Sequence, residues 1–287
     1  MYDTVLVPTD GRPGTEGAVA RGIDLARTFE SGVHALYVVE TAAEPAEATG
    51  TERETARERL HEQGHAATVS VQEAAAEFDL EVAREIRDGA PYRTILEYAD
   101  EHGVDAIAMG RRRAETAGLG STAQRVLTRA DVPVLVAPPD DPGPETGYAA
   151  YDRVVIPVDG SDTAARAADH ALTVAERYGA DVRVVYVVDT TTYGYGDAPR
   201  SIVGLLKDGG RNAVEAVADD ARDRNLPVST ALLRGDPGDA ILRYAEGADA
   251  DLIAMGTRGQ AALEETFLGS TTTHVLERSP VPVLTVS

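Results

Sequence analysis

The residues whose spacing best suits chemistry are glycines followed by hydroxyl residues in the last part of the chain. They are Gly256-Thr257-Arg258-Gly259, then nine residues, then Gly269-Ser270-Thr271. Glycines let backbone N–H groups approach a phosphate closely, and a helix that begins near Ser270 would add the N–H groups of its first turn. Arg258 would supply a fixed positive charge. The spacing therefore predicts an anion cradle built without lysine.

A carboxylate is expected next to this cradle. Asp159 ends the apolar run Val154-Val155-Ile156-Pro157-Val158. In open α/β sheets, ligands bind beyond the carboxyl ends of the strands, where the strand order reverses. If the first and fourth strands are neighbours there, the loops at Asp159 and Gly256 converge. An aspartate in such a place is about as often a helix cap or turn residue, but the position beside the cradle favours a ligand role.

The elements that would position these residues occur twice along the chain. Residues 2–11 recur at 151–160 with an offset of 149, and residues 103–110 recur at 249–256 with an offset of 146. The chain is thus a tandem repeat of one domain. We expect domains at 1–140 and 147–287 with a boundary near Thr146, joined by the proline-rich residues 138–144 as an extended spacer.

Each copy alternates short β-branched runs with helical segments. In the second copy we predict strands near 152–158, 181–188, 228–233, 250–255 and 281–286, and helices near 162–178, 200–224, 237–247 and 270–278. This alternation predicts an α/β fold, a doubly wound parallel sheet of five strands in each copy. A proline in second position of each last strand, at Val132-Pro133-Val134 and Val281-Pro282-Val283, suits a sheet edge. We expect these edges to pair, so that the copies form a pseudo-dimer.

The cradle motif resembles the nucleotide-binding motif of the universal stress protein family. The resemblance extends over both copies: a first strand that ends in Pro-x-Asp, Gly235-Asp236-Pro237 after the third strand, the run from Asp251 to Gly256, and the Val-Pro-Val strand. It implies a tandem protein of two Rossmann-like domains of the adenine nucleotide alpha hydrolase type, each with strand order 3-2-1-4-5. It also implies ATP, with or without Mg²⁺ and one per chain, with the base near strands one and two.

Carried over to this sequence, the resemblance implies a set of nucleotide-binding residues in the second copy. Those beside the adenine and ribose would be Pro157, Val158, Asp159, Val187, Met255 and Gly256. Those that hold the phosphates would be Arg258, Gly259, Gly269, Ser270 and Thr271.

The first copy departs from this pattern. It has Gly110-Arg111-Arg112-Arg113, with arginine at the place of the second glycine, and six residues before Gly120-Ser121. If Gly259 needs a positive φ, arginine there would cost about 1 kcal/mol and would fill the phosphate space. We favour a degenerate site; the alternative is that these arginines bind an anion differently or reach the acidic surface of the other copy. A weaker second site would consist of Pro8, Asp10, Val38, Gly110, Gly120 and Ser121.

Composition limits the partners. The 287 residues carry 48 Asp and Glu against 27 Lys and Arg, a net charge of −21, and Lys207 is the single lysine. This bias favours a high-salt cytoplasm, with an ordinary acidic protein as the alternative. The charge disfavours nucleic acid and anionic membranes. The absence of cysteine excludes thiol nucleophiles and Cys zinc sites, and no apolar run predicts membrane insertion.

A zinc-protease pattern also occurs, at His61-Glu62-Gln63-Gly64-His65. Gly64 weakens the helix that zinc binding requires, and the repeat alignment puts the stretch at the beginning of a surface helix far from the strand ends. We interpret it as solvated polar residues and predict no metal site.

These observations predict a cytoplasmic, stress-associated ATP-binding sensor or regulator that could pair further into a homodimer. No residue is placed as a general base, so we expect no enzyme activity beyond slow, incidental ATP hydrolysis. A nucleotide-free module that docks on a transporter or signalling protein is the alternative. A zinc hydrolase that uses His61 and His65 is the third hypothesis for the function.

Overall fold

The computed structural model describes residues 2–12, 14–40, 50–111, 118–139, 141–144, 151–191, 200–259 and 267–287. The chain divides into two compact units, Met1–Glu145 and Thr146–Ser287. Each unit is described by itself below.

In unit 1, the described residues alternate strands and helices along the chain. In order they form β1 (Thr4–Pro8), α1 (Glu16–Phe29), β2 (Gly32–Glu40), α2 (Gly50–Ala76), β3 (Val82–Gly89), α3 (Pro91–Glu101), β4 (Ala106–Gly110), α4 (Ser121–Arg129) and β5 (Val134–Ala137). The strands are parallel in the order β3-β2-β1-β4-β5.

Unit 2 repeats this arrangement. Its elements are β6 (Arg153–Pro157), α5 (Asp162–Tyr178), β7 (Asp181–Asp189), α6 (Arg200–Asp223), β8 (Val228–Gly235), α7 (Pro237–Gly247), β9 (Leu252–Gly256), α8 (Ser270–Arg278) and β10 (Val283–Val286). Their strands are parallel in the order β8-β7-β6-β9-β10. The predicted α/β class, doubly wound topology and strand order 3-2-1-4-5 are confirmed, and the predicted element bounds differ by at most two residues.

The central strands are buried because both faces of the sheet carry helices. The side chains of Val154, Val155 and Ile156 in β6 are fully buried, as is Ile253 in β9. An aspartate fixes where β6 begins: Asp251 Oδ2 accepts the N–H groups of Asp152 (3.0 Å) and Arg153 (2.9 Å). The aspartate of the repeated Asp-x-Ile-Ala-Met-Gly run therefore works at the amino ends of the strands, away from the edge where a ligand would bind.

The predicted place of proline in the last strands is wrong. Strands β5 and β10 begin after Pro133 and Pro282, at Val134 and Val283. Proline has no N–H to donate, so each ladder starts one residue later, and the proline contributes its carbonyl: Pro282 O accepts the N–H of Ile253 at 3.1 Å. The pairing of the two copies stays a prediction.

A glycine in a helix makes room for a tyrosine ring in each unit. A Cβ atom on Gly64 of α2 would lie 2.7 Å from Tyr37 Cδ1, and one on Gly210 of α6 would lie 2.5 Å from Tyr186 Cδ1. The prediction that residues 61–65 begin a helix is wrong, since α2 starts at Gly50. Gly64 is retained in mid-helix because the ring of Tyr37 packs directly on its backbone.

Among the helices of the described ranges, none is both long enough and apolar enough to cross a membrane.

The neighbouring glycines of α6 provide a matched test of this packing. Gly210 is buried on the ring of Tyr186, whereas a Cβ atom on Gly209 would meet nothing within 4 Å. We expect Gly210→Ala to lower the free energy of unfolding by about 1–3 kcal/mol through overpacking. Gly209→Ala should raise it by about 0.5–1 kcal/mol through helix propensity. Denaturant unfolding of the full chain measures both, and equal effects of the two variants would contradict the packing argument.

Candidate functional site

The candidate site lies where the strand order of unit 2 reverses, between β6 and β9. These strands pair at Val154 with Leu252 and at Val155 with Ile253. Their carboxyl ends therefore lie side by side, and the loops to α5 and α8 start from the same edge of the sheet. This is the position at which open α/β sheets bind ligands.

Asp159 and Gly259, both predicted as binding residues, lie in contact. Asp159 Oδ1 accepts hydrogen bonds from the N–H of Ser161 (3.0 Å) and from Ser161 Oγ (2.6 Å). A Cβ atom on Gly259 would overlap Asp159 Oδ2. The φ angle of Gly259 lies outside the left-handed region. Gly259 does not have the positive φ on which the expected cost of an arginine depended. A side chain there would instead have to displace the Asp159 carboxylate.

Gly256 brings the end of β9 against the first turn of α5. A Cβ atom on Gly256 would lie 3.0 Å from the carbonyl carbon of Thr163 and 3.1 Å from the nitrogen of Ala164. Both are backbone atoms that cannot move without shifting the helix. Any larger residue would push β9 and α5 apart.

The start of α8 is tied to the same loop. Gly269 N donates to Thr257 O at 2.8 Å, and Thr272 Oγ1 donates to Gly256 O at 2.8 Å. A Cβ atom on Gly269 would lie 3.2 Å from Thr257 O. These contacts hold the first turn of α8 next to the end of β9.

The first turn of α8 has N–H groups to offer. The helix begins at Ser270 after Gly269, and this N-cap glycine has no side chain that could cap the helix by a hydrogen bond. The N–H groups of a first turn have no acceptor within their helix, and they carry the positive end of the helix dipole. Ser270 is exposed and Thr271 is half-buried. The arrangement suits an anion that sits in front of Ser270 and Thr271.

The remaining predicted residues lie along the strands that lead to this edge. Pro157, Val158 and Met255 are buried. Val158 N donates to Val185 O at 2.8 Å, and Val187 is half-buried two residues further along β7. Together with Gly256 they belong to the strand ends at this edge of the sheet. Ser161 and Thr272, whose hydroxyls fix Asp159 and the start of α8, were not predicted from the sequence.

The corresponding edge of unit 1 has a different backbone. Gly120, which precedes α4, has φ 83°, whereas Gly269 before α8 has φ −61°. Gly110 approaches Gly14, its Cβ position lying 3.6 Å from Gly14 O, and Ser121 begins α4. Arg112 and Arg113 lie outside the described residues. The two loops therefore enter their helices in different conformations.

Asp10 is held differently from Asp159. Its Oδ1 accepts the N–H of Arg12 at 3.1 Å, and the Arg12 Nε lies 3.7 Å from its Oδ2. Both side chains are more than half exposed. Burial raises the pKa of the nearby Tyr37 hydroxyl, and the Asp10 charge raises that pKa further while Arg12 lowers it. Pro8 and Val38 are half-buried. The apolar residues at this edge therefore resemble those of unit 2 more closely than the polar residues do.

Part of the predicted spacer is packed on unit 1. Asp141 is buried and forms a two-bond ion pair with Arg21 of α1, at 2.9 Å to Nε and 3.0 Å to Nη2. A Cβ atom on Gly17 would overlap the Asp141 backbone carbonyl, and one on Gly14 would lie 3.5 Å from Pro139 O. The prediction of an extended spacer is wrong for these residues, because a charged pair and a glycine notch dock them on the helix.

The first histidine of the zinc-protease pattern lies beside Asp88, near the carboxyl end of β3. His61 Nε2 is 3.3 Å from Asp88 Oδ1, and Arg57 Nη2 donates to Asp88 Oδ2 at 2.6 Å. The hydrogen bond from Arg57 is the main reason that the pKa of Asp88 is lowered. Glu62, Gln63 and His65 are exposed. His61 thus belongs to a surface ion-pair cluster.

One group of carboxylates and histidine has the spacing of metal ligands within the described residues. It consists of Asp236, Asp239 and His274, whose ligand atoms lie within 4.8 Å of one another. Asp236 caps α7 by accepting the N–H of Asp239 (3.0 Å), and Asp239 Oδ1 lies 2.7 Å from His274 Nε2. Arg278 Nη1 lies 3.1 Å from the same His274 nitrogen. Arg278 Nη1 also lies 3.7 Å from Asp239 Oδ1, so a guanidinium is one positive charge beside these carboxylates.

Comparison with known proteins identifies the family. The model of the universal stress protein family matches residues 1–138 and again residues 150–287. The chain therefore belongs to this family, and it carries the family domain twice, as the sequence predicted. Universal stress protein MJ0531 of Methanocaldococcus jannaschii is 38% identical over 143 residues, which cover 49% of this chain and 84% of that protein.

Solved structures agree with the fold. A universal stress protein from Archaeoglobus fulgidus covers 99% of this chain and 96% of its own length with a TM-score of 0.72, at 22% identity. That likeness shows the shared tandem fold. A universal stress protein solved in complex with cAMP covers 47% of this chain and 96% of its own length, with a TM-score of 0.36 at 25% identity. The cAMP is that protein's ligand.

The docked segment of unit 1 can be tested by removing its carboxylate. In Asp141→Ala, the guanidinium of Arg21 loses a partner that is itself almost fully buried. We expect the free energy of unfolding to fall by about 3–5 kcal/mol, the usual effect of breaking a buried pair from one side. The exposed Asp131, ten residues earlier, is the control: Asp131→Ala should change the free energy by about 0.5 kcal/mol or less. Equal denaturation midpoints for the two variants would show that the segment is not docked in solution.

Proposed function

We propose that this chain is a stress-response regulator that binds an adenine nucleotide, ATP in the first instance, and that the second repeat holds it. The observation that supports the proposal is the position of the first turn of α8. This turn follows a glycine N-cap and is fixed against the end of β9, beside Asp159, at the point where the strand order reverses.

The phosphate half of this site would rely on N–H donors in contact with the ligand. The donors would come from Gly259, Ser270 and Thr271, with the side chain of Arg258 as the positive charge. The N–H of Gly269 is bonded to Thr257 O, so Gly269 would contribute room for a phosphate in front of the helix. The net charge of −21 opposes a triphosphate at long range. Salt reduces that opposition to within about 3 Å at 1 M, so local donors decide binding in a salty cell. Mg²⁺ would accompany the phosphates as part of the ligand.

The adenine and ribose half would rely on the strand ends. Pro157, Val158, Val187 and Met255 line the sheet edge with apolar surface, and Gly256 leaves room beside them. The Asp159 carboxylate keeps Oδ2 on the side of Gly259, where it can accept a hydrogen bond from a ribose hydroxyl. Such a combination of apolar wall and few polar groups is typical of small-molecule sites.

We propose one nucleotide per chain. In the first repeat, Asp10 faces the guanidinium of Arg12 and Gly120 has a different φ, and the sequence has arginine where Gly259 stands. Domains at 1–140 and 147–287 would then share a scaffold and differ in ligand binding. No catalytic residue is proposed, and ATP would act as a signal.

Replacing Gly259 by the residue of the first repeat tests the proposal. Isothermal titration of the full chain with ATP at multimolar salt should give about one site for the wild type. In Gly259→Arg, the side chain would displace the Asp159 carboxylate and fill the phosphate space, and we expect ATP affinity to fall at least a hundredfold, which is about 2.7 kcal/mol.

Gly247→Arg is the matched control, because a Cβ atom on Gly247 would meet nothing within 4 Å and the residue is exposed. It should bind ATP as the wild type does. A wild type that takes up no ATP would refute the proposal and favour a nucleotide-free docking module. An unchanged affinity in Gly259→Arg would place the nucleotide elsewhere.

A further inference from the structure

We infer that Thr163 is a positioning residue for the nucleotide: its hydroxyl holds the phosphate loop at Arg258 and Gly259 in place. Thr163 does this without contacting the nucleotide. The inference rests on the proposed function and adds to it the device that keeps the cradle formed. Thr163 lies in the first turn of α5, and the loop that it holds follows β9.

The contact that carries the inference joins two segments far apart in sequence. Thr163 Oγ1 donates to Arg258 O at 2.6 Å, across 95 residues. The same oxygen would lie 3.1 Å from a Cβ atom on Gly256. Thr163 therefore contacts both the last residue of β9 and the loop that follows it, where the backbone leaves the sheet.

The neighbouring hydroxyl does a different task. Ser161 Oγ donates to Asp159 Oδ1 at 2.6 Å and accepts the N–H of Ala164 at 3.2 Å. Ser161 Oγ and Thr163 Oγ1 lie 3.1 Å apart, but each hydroxyl has one proton, and the two shorter bonds use them. Ser161 thus fixes the carboxylate and the start of α5, and Thr163 fixes the loop. Together they set Asp159 Oδ2 against Gly259.

The first repeat lacks both hydroxyls. At the offset of 149, Ser161 corresponds to Arg12 and Thr163 corresponds to Gly14. Gly14 has φ 98°, a value that an L side chain rarely adopts, and Pro139 O lies 3.5 Å from its Cβ position. The first repeat therefore has no side chain at this place to hold its loop. The loss of the hydroxyl accompanies the loss of the second glycine, as expected if both serve one site.

If the loop becomes ordered only when ATP binds, part of the binding free energy is used to order it. A loop that is already ordered therefore binds ATP more tightly. Removing one hydrogen bond that holds such a loop should weaken ATP binding about tenfold, which corresponds to about 1.4 kcal/mol. Unfolding should change little, because valine has nearly the shape of threonine and α5 keeps its Ser161 cap.

The test is isothermal titration of the full-length Thr163→Val and Thr163→Ser variants with ATP at multimolar salt. We expect the valine variant to bind about tenfold more weakly than the wild type and the serine variant to bind like the wild type, because serine keeps the hydroxyl. Hydrogen exchange of the peptide that contains Arg258 and Gly259 should accelerate in the valine variant and not in the serine variant.

Thr173→Val is the control on the same helix. Thr173 Oγ1 donates to Asp169 O within α5 and accepts from Arg224, so its loss should leave ATP affinity and exchange of the loop unchanged. Wild-type affinity in Thr163→Val would overturn the inference while leaving the proposed function intact. An equal loss in the valine and serine variants would also overturn it, since shape would then matter and the hydroxyl would not. Absence of ATP binding by the wild type would refute both.

Discussion

The close approach of two backbones at Gly256 is the constraint on which the candidate site depends. The end of β9 lies so near the first turn of α5 that a single methyl group on Gly256 would meet the backbone of Thr163 and Ala164. This approach brings Asp159 to Gly259 and brings Thr163 to Arg258 O. It also lets Thr272 of α8 reach Gly256 O. Three elements, β9, α5 and α8, thus meet at one glycine, and the first turn of α8 is held at this edge of the sheet.

Duplication has preserved the scaffold more strictly than the site. Both units have the same strand order, the same glycine under a tyrosine ring in the second helix, and the same aspartate that anchors the start of the first strand. These features serve packing and hydrogen bonding, which every copy of the fold needs. The residues at the carboxyl edge differ: Ser161 and Thr163 correspond to Arg12 and Gly14. The scaffold meets physical demands that both units share, so it is the same in both. The residues at the carboxyl edge are not under those demands and differ between the units.

Charge has a local and a global meaning in this chain. Exposed carboxylates determine the net charge, while the buried or half-buried carboxylates have specific partners: Asp141 pairs with Arg21, and Asp159 accepts from Ser161. The buried pair in unit 1 shows how a segment rich in proline and acid can be docked by a single charged contact. The composition of that segment predicted a spacer because prolines weaken ladder pairing. It could not predict the ion pair, because the arginine lies 120 residues earlier in the chain.

The sequence by itself determined the fold, the duplication and the glycine loop. Hydrophobic periodicity and β-branched runs are local signals, and the repeat located the same elements twice, so the helices from 162, 237 and 270 were predicted at their first residue. Only the tertiary structure decided what depends on contacts between distant residues. It showed that Gly259 contacts the Asp159 carboxylate and has no positive φ, and that Pro282 precedes its strand. It also showed that Gly64 packs under the ring of Tyr37 and that Thr163 donates a hydrogen bond to Arg258 O. Periodicity and motif spacing carry no information on such contacts, because a side chain's partner across the sheet edge is set by how the elements pack and not by its neighbours in the chain.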